Sequence, residues 1–111
     1  MDLTFEQGTS GAWTVLSVAG ELDMYTSPSL DEHLVALMVG DSPKIALDLS
    51  AVPFMDSSSL GILVVNLKRL RDRGGTMALV GVSGSPKKVL SITGIDRVIP
   101  VYDQASALPQ D

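Results

Sequence analysis

The stretch from Lys44 to Arg73, KIALDLSAVPFMDSSSLGILVVNLKRLRDR, decides how the rest of the chain is read. Ile45-Ala46-Leu47-Asp48-Leu49 is a short apolar run of the kind a buried strand requires. Ser50 to Phe54 form a brief connection, in which Pro53 drives the residue before it out of the α region. From Leu60 the apolar period changes. Leu60, Leu63, Val64, Leu67 and Leu70 recur at three and four, the stripe of an amphipathic helix. Between strand and helix lies Asp56-Ser57-Ser58-Ser59. Asp and Ser suit a helix start because they satisfy its unpaired N–H groups, and the same free N–H groups and positive pole favour a phosphate. Lys68, Arg69, Arg71 and Arg73 complement the negative pole, and Gly74-Gly75 supplies a left-handed stop. On local physics alone the Asp-Ser run is a helix cap.

Composition bounds what such a unit belongs to. The 111 residues suit one domain with a real core, and 45% hydrophobic against 19% charged residues excludes disorder. The five aromatic residues leave the core mainly aliphatic. The absence of cysteine removes disulfides and thiolate chemistry and is compatible with a reducing cytosol. With His33 as the sole histidine, a transition-metal site would rest on carboxylates alone, and no metal is expected. The N-terminal residues lack a charged-then-apolar leader, so no signal peptide is expected. No apolar run approaches the roughly 18 residues of a membrane span. The net charge of −5 speaks against general nucleic-acid binding, and the basic runs at Lys68–Arg73 and Lys87-Lys88 read as dipole complement and solvated faces.

Outside the central unit, Leu3–Gln7 and Trp13–Val18 read as a hairpin around the turn cluster Gly8-Thr9-Ser10-Gly11. Ser27-Pro28 marks a helix start with Ser27 as cap, and Leu30, Leu34, Leu37 and Met38 give that helix its apolar face. His33 sits off the stripe, at the surface. Thr76–Val82 reads as a strand. Ser85-Pro86 opens a further helix, with Val89, Leu90 and Ile92 inward and Thr93-Gly94 closing it. Val98–Tyr102 is a last strand, on an edge because Pro100 cannot donate to a ladder. Asp103–Leu108 supply a final helical turn or two, and Pro109-Gln110-Asp111 fray. The order β-β-α-β-α-β-α-β-α predicts a single α/β domain. Its mixed sheet combines an N-terminal hairpin with parallel βαβ units, packed against about four helices. In such a unit Ser57 emerges at the carboxyl end of its strand, where α/β sheets place ligands.

Leu47-Asp48-Leu49-Ser50, with Phe54-Met55-Asp56-Ser57-Ser58 and Leu60-Gly61, resembles the signature of the STAS domain, most closely the bacterial anti-sigma factor antagonists. The resemblance runs from about Leu16 to Leu108, and Gly20-Glu21-Leu22-Asp23 is similar to a further segment of that family. It implies a cytoplasmic, non-enzymatic regulator of transcription. Such a protein binds an anti-sigma factor that is also a serine/threonine kinase, releases a sigma factor, and is turned off by phosphorylation. The acceptor serine of the family maps onto Ser57, with Asp56, Ser58, Ser59 and the Asp23 loop as the partner-binding surface. On local sequence Asp23 is a solvated loop acid; the resemblance makes it a partner contact, and both readings stand. The kinase supplies the ATP, a serine phosphatase resets the switch, and the chain itself needs no cofactor and has no catalytic residues. Where the family often has glycine after its two serines, this chain has Ser59. The alternative is a STAS module that serves as a scaffold in a signalling or transport complex without a phosphorylation cycle. A monomer or weak dimer is expected.

Other chemistries fit poorly. Ser57 is flanked by Met55 and Ser59 rather than the glycines of a G-x-S-x-G elbow, and His33 belongs to a different helix. Neither G-x-x-x-x-G-K-[ST] nor G-x-G-x-x-G is present, so the backbone cradle for a pyrophosphate is missing.

Overall fold

A computed structural model describes residues 2–110; Met1 and Asp111 lie outside the described residues. Its strands are β1 (Thr4–Ser10), β2 (Trp13–Ala19), β3 (Lys44–Ala51), β4 (Thr76–Val80) and β5 (Val101–Tyr102). They lie side by side in chain order. The β1–β2 pair is antiparallel and every other neighbouring pair is parallel. Three α-helices make the connections: α1 (Ser27–Ala36), α2 (Ser57–Asp72) and α3 (Gly84–Thr93). This is the mixed α/β sheet anticipated above, with three helices in place of about four. The last helical segment is a single 3₁₀ turn, Ala105–Ala107.

Register builds the core. Leu16 pairs with Leu47, and Leu47 with Leu79, so a row of leucines crosses three strands on one face. That face packs against Leu30 and Leu34 of α1, Leu63, Leu67 and Leu70 of α2, and Leu90 of α3. All three helices therefore form one layer on one side of the sheet. On the other side Trp13, Val15, Ala46, Ala78 and Val80 are covered by Leu108 and the chain end. The indole Nε1 of Trp13 donates to the carbonyl of Pro109 at 2.7 Å, and the Gln110 side chain accepts from Ala12 N–H at 3.4 Å. Pro109 and Gln110, expected to fray, are instead tied to the hairpin.

Polar links fix the helices to one another. Asn66 on α2 is buried, and its Nδ2 donates to Asp31 of α1 and to the Ile62 carbonyl, both at 2.8 Å. Arg69 closes the network on Asp31 at 2.8 Å. These bonds satisfy an amide that would otherwise be costly to bury. From the opposite flank of α2, Arg71 reaches the carbonyl of Val98, just beyond α3, at 3.5 Å. Thus α2 lies between α1 and α3.

Several local expectations change. β1 runs through Ser10, which leaves the two-residue turn Gly11-Ala12 with Gly11 at φ 59°. Ser27 is the first residue of α1 rather than its cap. β5 shrinks to two residues because the N–H groups of Val98 and Ile99 turn back onto the Ile95 carbonyl, at 2.9 and 2.8 Å, and extend the 3₁₀ turn of Ile95–Arg97. Val64 and Ile92, read as core from their apolar character, are exposed, because their angular positions fall on the outer faces of α2 and α3. His33 is at the surface, as anticipated, with its ring stacked on Phe5 at 3.7 Å between centroids.

The end of α2 is a Schellman motif: Gly75 N–H donates to the Leu70 carbonyl at 2.7 Å and Gly74 N–H to the Arg71 carbonyl at 3.0 Å. A Cβ on Gly75 would lie 2.2 Å from the Pro43 carbonyl oxygen, whereas one on Gly61, within α2, would meet nothing within 4 Å. Urea denaturation should therefore show Gly75→Ala destabilised by about 1–3 kcal/mol. The same measurement should show Gly61→Ala stabilised by roughly 0.5–1 kcal/mol.

Candidate functional site

Two helix starts meet at the carboxyl ends of β2 and β3. Asp56 caps α2 from an extended backbone, φ −116° and ψ −177°. One carboxylate oxygen, Oδ1, accepts from Ser58 N–H at 3.0 Å, Ser59 N–H at 3.2 Å and the Ser58 hydroxyl at 2.5 Å. Asp23 does the same for the turn that leads into α1. Its Oδ1 accepts from Thr26 N–H at 3.0 Å, while Thr26 Oγ1 accepts from Asp23 N–H at 3.0 Å. That reciprocal pair has the bonding pattern of a capping box, here closing the turn that ends at Thr26, the residue from which α1 starts. Ser27 N–H then donates to the Asp23 carbonyl at 2.9 Å, which ties the turn to α1, and Leu30 N–H donates to the Thr26 carbonyl at 3.4 Å as the helix begins.

The two caps are bolted together. Leu22 and Met55 form an isolated parallel bridge, in which Leu22 N–H donates to the Phe54 carbonyl at 2.9 Å and Asp56 N–H to the Leu22 carbonyl at 3.1 Å. The Ser27 and Ser58 hydroxyls lie 3.5 Å apart across the junction. Leu22 and Met55 are themselves buried, which anchors both loops in the core.

The three serines take three different environments. Ser57 is exposed, and its hydroxyl makes no hydrogen bond among the described residues. Ser58 is half-buried and its hydroxyl is committed to Asp56. Ser59, expected on the partner-facing surface, is 0% exposed and donates its hydroxyl to the Asp56 carbonyl at 2.7 Å. It is therefore a buried part of the helix start, unable to touch a partner. The reason is periodicity: two residues along a helix turn a side chain some 200° away from Ser57.

The Ser58 hydroxyl, followed by the backbone N–H groups of Ser59, Ser58 and Met24, holds the Asp56 carboxyl below its ordinary value against the opposing effect of burial. The N–H groups of Ser58 and Ser59, expected to be free for a phosphate, are thus already engaged. A phosphate on Ser57 would add to the Asp56 charge instead of filling an empty anion site.

Sequence reading missed the apolar rim of this site. Met24 and Tyr25, between the two members of the Asp23–Thr26 box, are 64% and 84% exposed. On α2 the outward positions are Ser57, Gly61, Val64, Val65 and Lys68, a continuous stripe that begins at the exposed serine. The available signal was the spacing from Ser57 itself: Gly61 is four residues on and Val64 seven.

Comparison with known proteins gives this geometry a family. The STAS domain model matches residues 3–107. The anti-sigma-B factor antagonist of Staphylococcus aureus is 34% identical over 103 residues, 93% of this chain and 95% of that protein. The chain belongs to the STAS family of anti-sigma factor antagonists. A namesake from Listeria monocytogenes is 37% identical over 84 residues, 76% of this chain and 74% of the relative. Among solved structures, an anti-sigma factor antagonist from Mycobacterium paratuberculosis superposes with a TM-score of 0.81 at 30% identity, covering 92% of this chain and 86% of that one. Anti-sigma factor antagonists are regulatory proteins, not enzymes. No helix among the described residues is long and apolar enough to cross a membrane.

Asp56→Ala should cost about 1 kcal/mol at neutral pH through loss of the cap, read by urea denaturation. Because the folded-state pKa is lowered, the carboxylate's contribution is full above its unfolded value, near 3.9, and disappears as pH falls through the folded one. The gap between wild type and Asp56→Ala should accordingly narrow below about pH 4.

Proposed function

We propose that this antagonist binds an anti-sigma factor with serine-kinase activity, frees the sigma factor, and is switched off by phosphorylation of Ser57. The observation that supports Ser57 is its accessibility. Of the three consecutive serines it alone is exposed, with an unengaged hydroxyl. Ser58 would have to break its bond to Asp56 to act as acceptor, and Ser59 would have to leave the fold.

The docking surface in this reading is the outer stripe of α2 from Ser57 to Val65, with Met24 and Tyr25 beside it. Asp23 and Asp56 shape that surface from beneath by holding the two helix starts in register. Exposed aromatic side chains on a rigid turn make effective interface anchors, since little conformational freedom is lost when they bury. Phosphorylation adds about −1.5 to −2 charges and three acceptor oxygens. With Asp56 already on the helix N–H groups, that charge faces the partner, where desolvation and like-charge repulsion break the complex. Ser57 is exposed, so the fold itself is left standing. A serine phosphatase resets the switch, and the ATP belongs to the kinase.

The test is incubation with the cognate kinase and ATP, followed by site mapping. Phosphate on Ser57, absent from Ser57→Ala, is the expected result; an unmodified chain would favour a non-switching scaffold. Ser57→Asp should keep its stability within about 0.5 kcal/mol while losing the partner. Tyr25→Ser should also weaken binding at least about tenfold with its melting temperature unchanged, as expected for an exposed anchor. Gly61→Ala separates the two demands on α2: a more stable protein that binds its partner less well, because the added methyl stands on the docking stripe.

A further inference from the structure

We infer that the helical layer is also a self-association surface, on which two copies of this chain pack face to face and cover Ser57. The observation is a match of charge and height across the layer. The outward stripe of α1 carries Glu32, Val35 and, just past the helix end, Val39, whereas that of α3 carries Lys87, Lys88 and Ile92. Between them runs the α2 stripe with Val64 at 47% and Val65 at 46% exposed, while Ile92 is 85% exposed. α3 lies in a stretch, residues 73–95, without a single acid, in a chain whose net charge is −5. One flank helix thus carries acids and apolar side chains, with Arg69 and Arg73 of α2 lining the cleft beside Val35; the other flank helix is basic and apolar, and the α2 stripe between them is apolar as far as Lys68.

A twofold axis along α2, in the plane between two such layers, exchanges left and right. It sets α1 of each copy over α3 of the other and α2 over α2. Because the axis is parallel to the helices, heights along them are preserved. All three helices begin at the carboxyl end of the sheet: Ser27 of α1 lies beside Ser58 of α2, and Ser83–Ser85 line one cleft with the Ser50–Pro53 loop that precedes α2. Val35, Val65 and Ile92 are each the ninth residue of their helix, about 12 Å from its start at 1.5 Å per residue. Glu32 is the sixth residue of α1 and Lys88 the fifth of α3. Valine therefore meets isoleucine, glutamate meets lysine, and Val65 meets its own copy, in an isologous and closed contact. Gly61, without a side chain on the axis, lets the two α2 helices approach. The contact is small and partly polar, so the dimer is weak and salt-sensitive.

The consequence rests on the function proposed above: Ser57 lies on the same stripe, so the dimer is a covered reserve that the kinase draws on as monomer. A phosphate on each Ser57 would place two like charges near the axis and keep the modified form apart.

Sedimentation velocity on the full chain tests the dimer without any kinase, so its outcome is independent of the switch. Between about 10 µM and 1 mM at low salt the mass should rise from 11.7 kDa toward twice that value, and fall back at high salt. Glu32→Lys, and the pair Lys87→Glu with Lys88→Glu, should each weaken association at least about tenfold. An equimolar mixture of those two variants, or one chain carrying all three changes, should restore it. Lys68→Ser should tighten it by removing a like-charge meeting at the far end of α2. These positions are exposed, so thermal melts should show every variant folded. A wild-type mass that stays monomeric to about 1 mM, or an association that the charge reversals leave untouched, overturns the proposal.

Discussion

The site depends on one carboxylate oxygen. Asp56 Oδ1 collects two backbone N–H groups and one hydroxyl, and its own N–H is held by the Leu22 carbonyl. That arrangement starts α2, joins it to the loop before α1, and decides the fate of each neighbouring serine. Ser58 is drawn down onto the carboxylate, Ser59 is carried round into the interior, and Ser57 is left facing water. A run of three chemically equal residues becomes three different ones because the helix begins where Asp56 begins it.

The remainder of the fold makes that junction rigid. Leucines in register across β2, β3 and β4 hold the helical layer, and Leu22 and Met55 pin the loops from below. At mid-height the Asn66–Asp31–Arg69 network prevents α1 from sliding against α2. Rigidity matters for a binding module of this kind, because a preformed face loses little conformational entropy on docking. In the switch proposed above it would also let charge alone act as the signal, a phosphate changing what the surface accepts while the packing beneath it stays in place.

The helical layer exposes apolar side chains on all three helices, not on α2 alone. Val35, Val64, Val65 and Ile92 all face outward, on helices whose charges differ in sign from one flank to the other. In the function proposed above the anti-sigma factor docks on part of that layer. Self-association on that surface would be one more competitor, set by concentration and salt.

The sequence by itself determined the architecture and the junction. Period-two and period-three-to-four patterns, the Ser-Pro and Gly-Gly punctuation and the Asp-Ser run are local signals, each set by backbone sterics within a few residues. The succession of strands and helices along the chain, the Asp56 cap and the stop at Gly74-Gly75 were legible for that reason. Tertiary structure decided what depends on angle and on distant partners. Ser59 is buried, Val64 and Ile92 are exposed, and Asp23 pairs with Thr26 in a cap, because a side chain's face follows from where its helix starts. Pro109 and Gln110 are held because Trp13, almost a hundred residues earlier, offers an N–H that must be satisfied once the indole is buried. Apolar character marks a residue as able to be buried; only the packed fold assigns it a side.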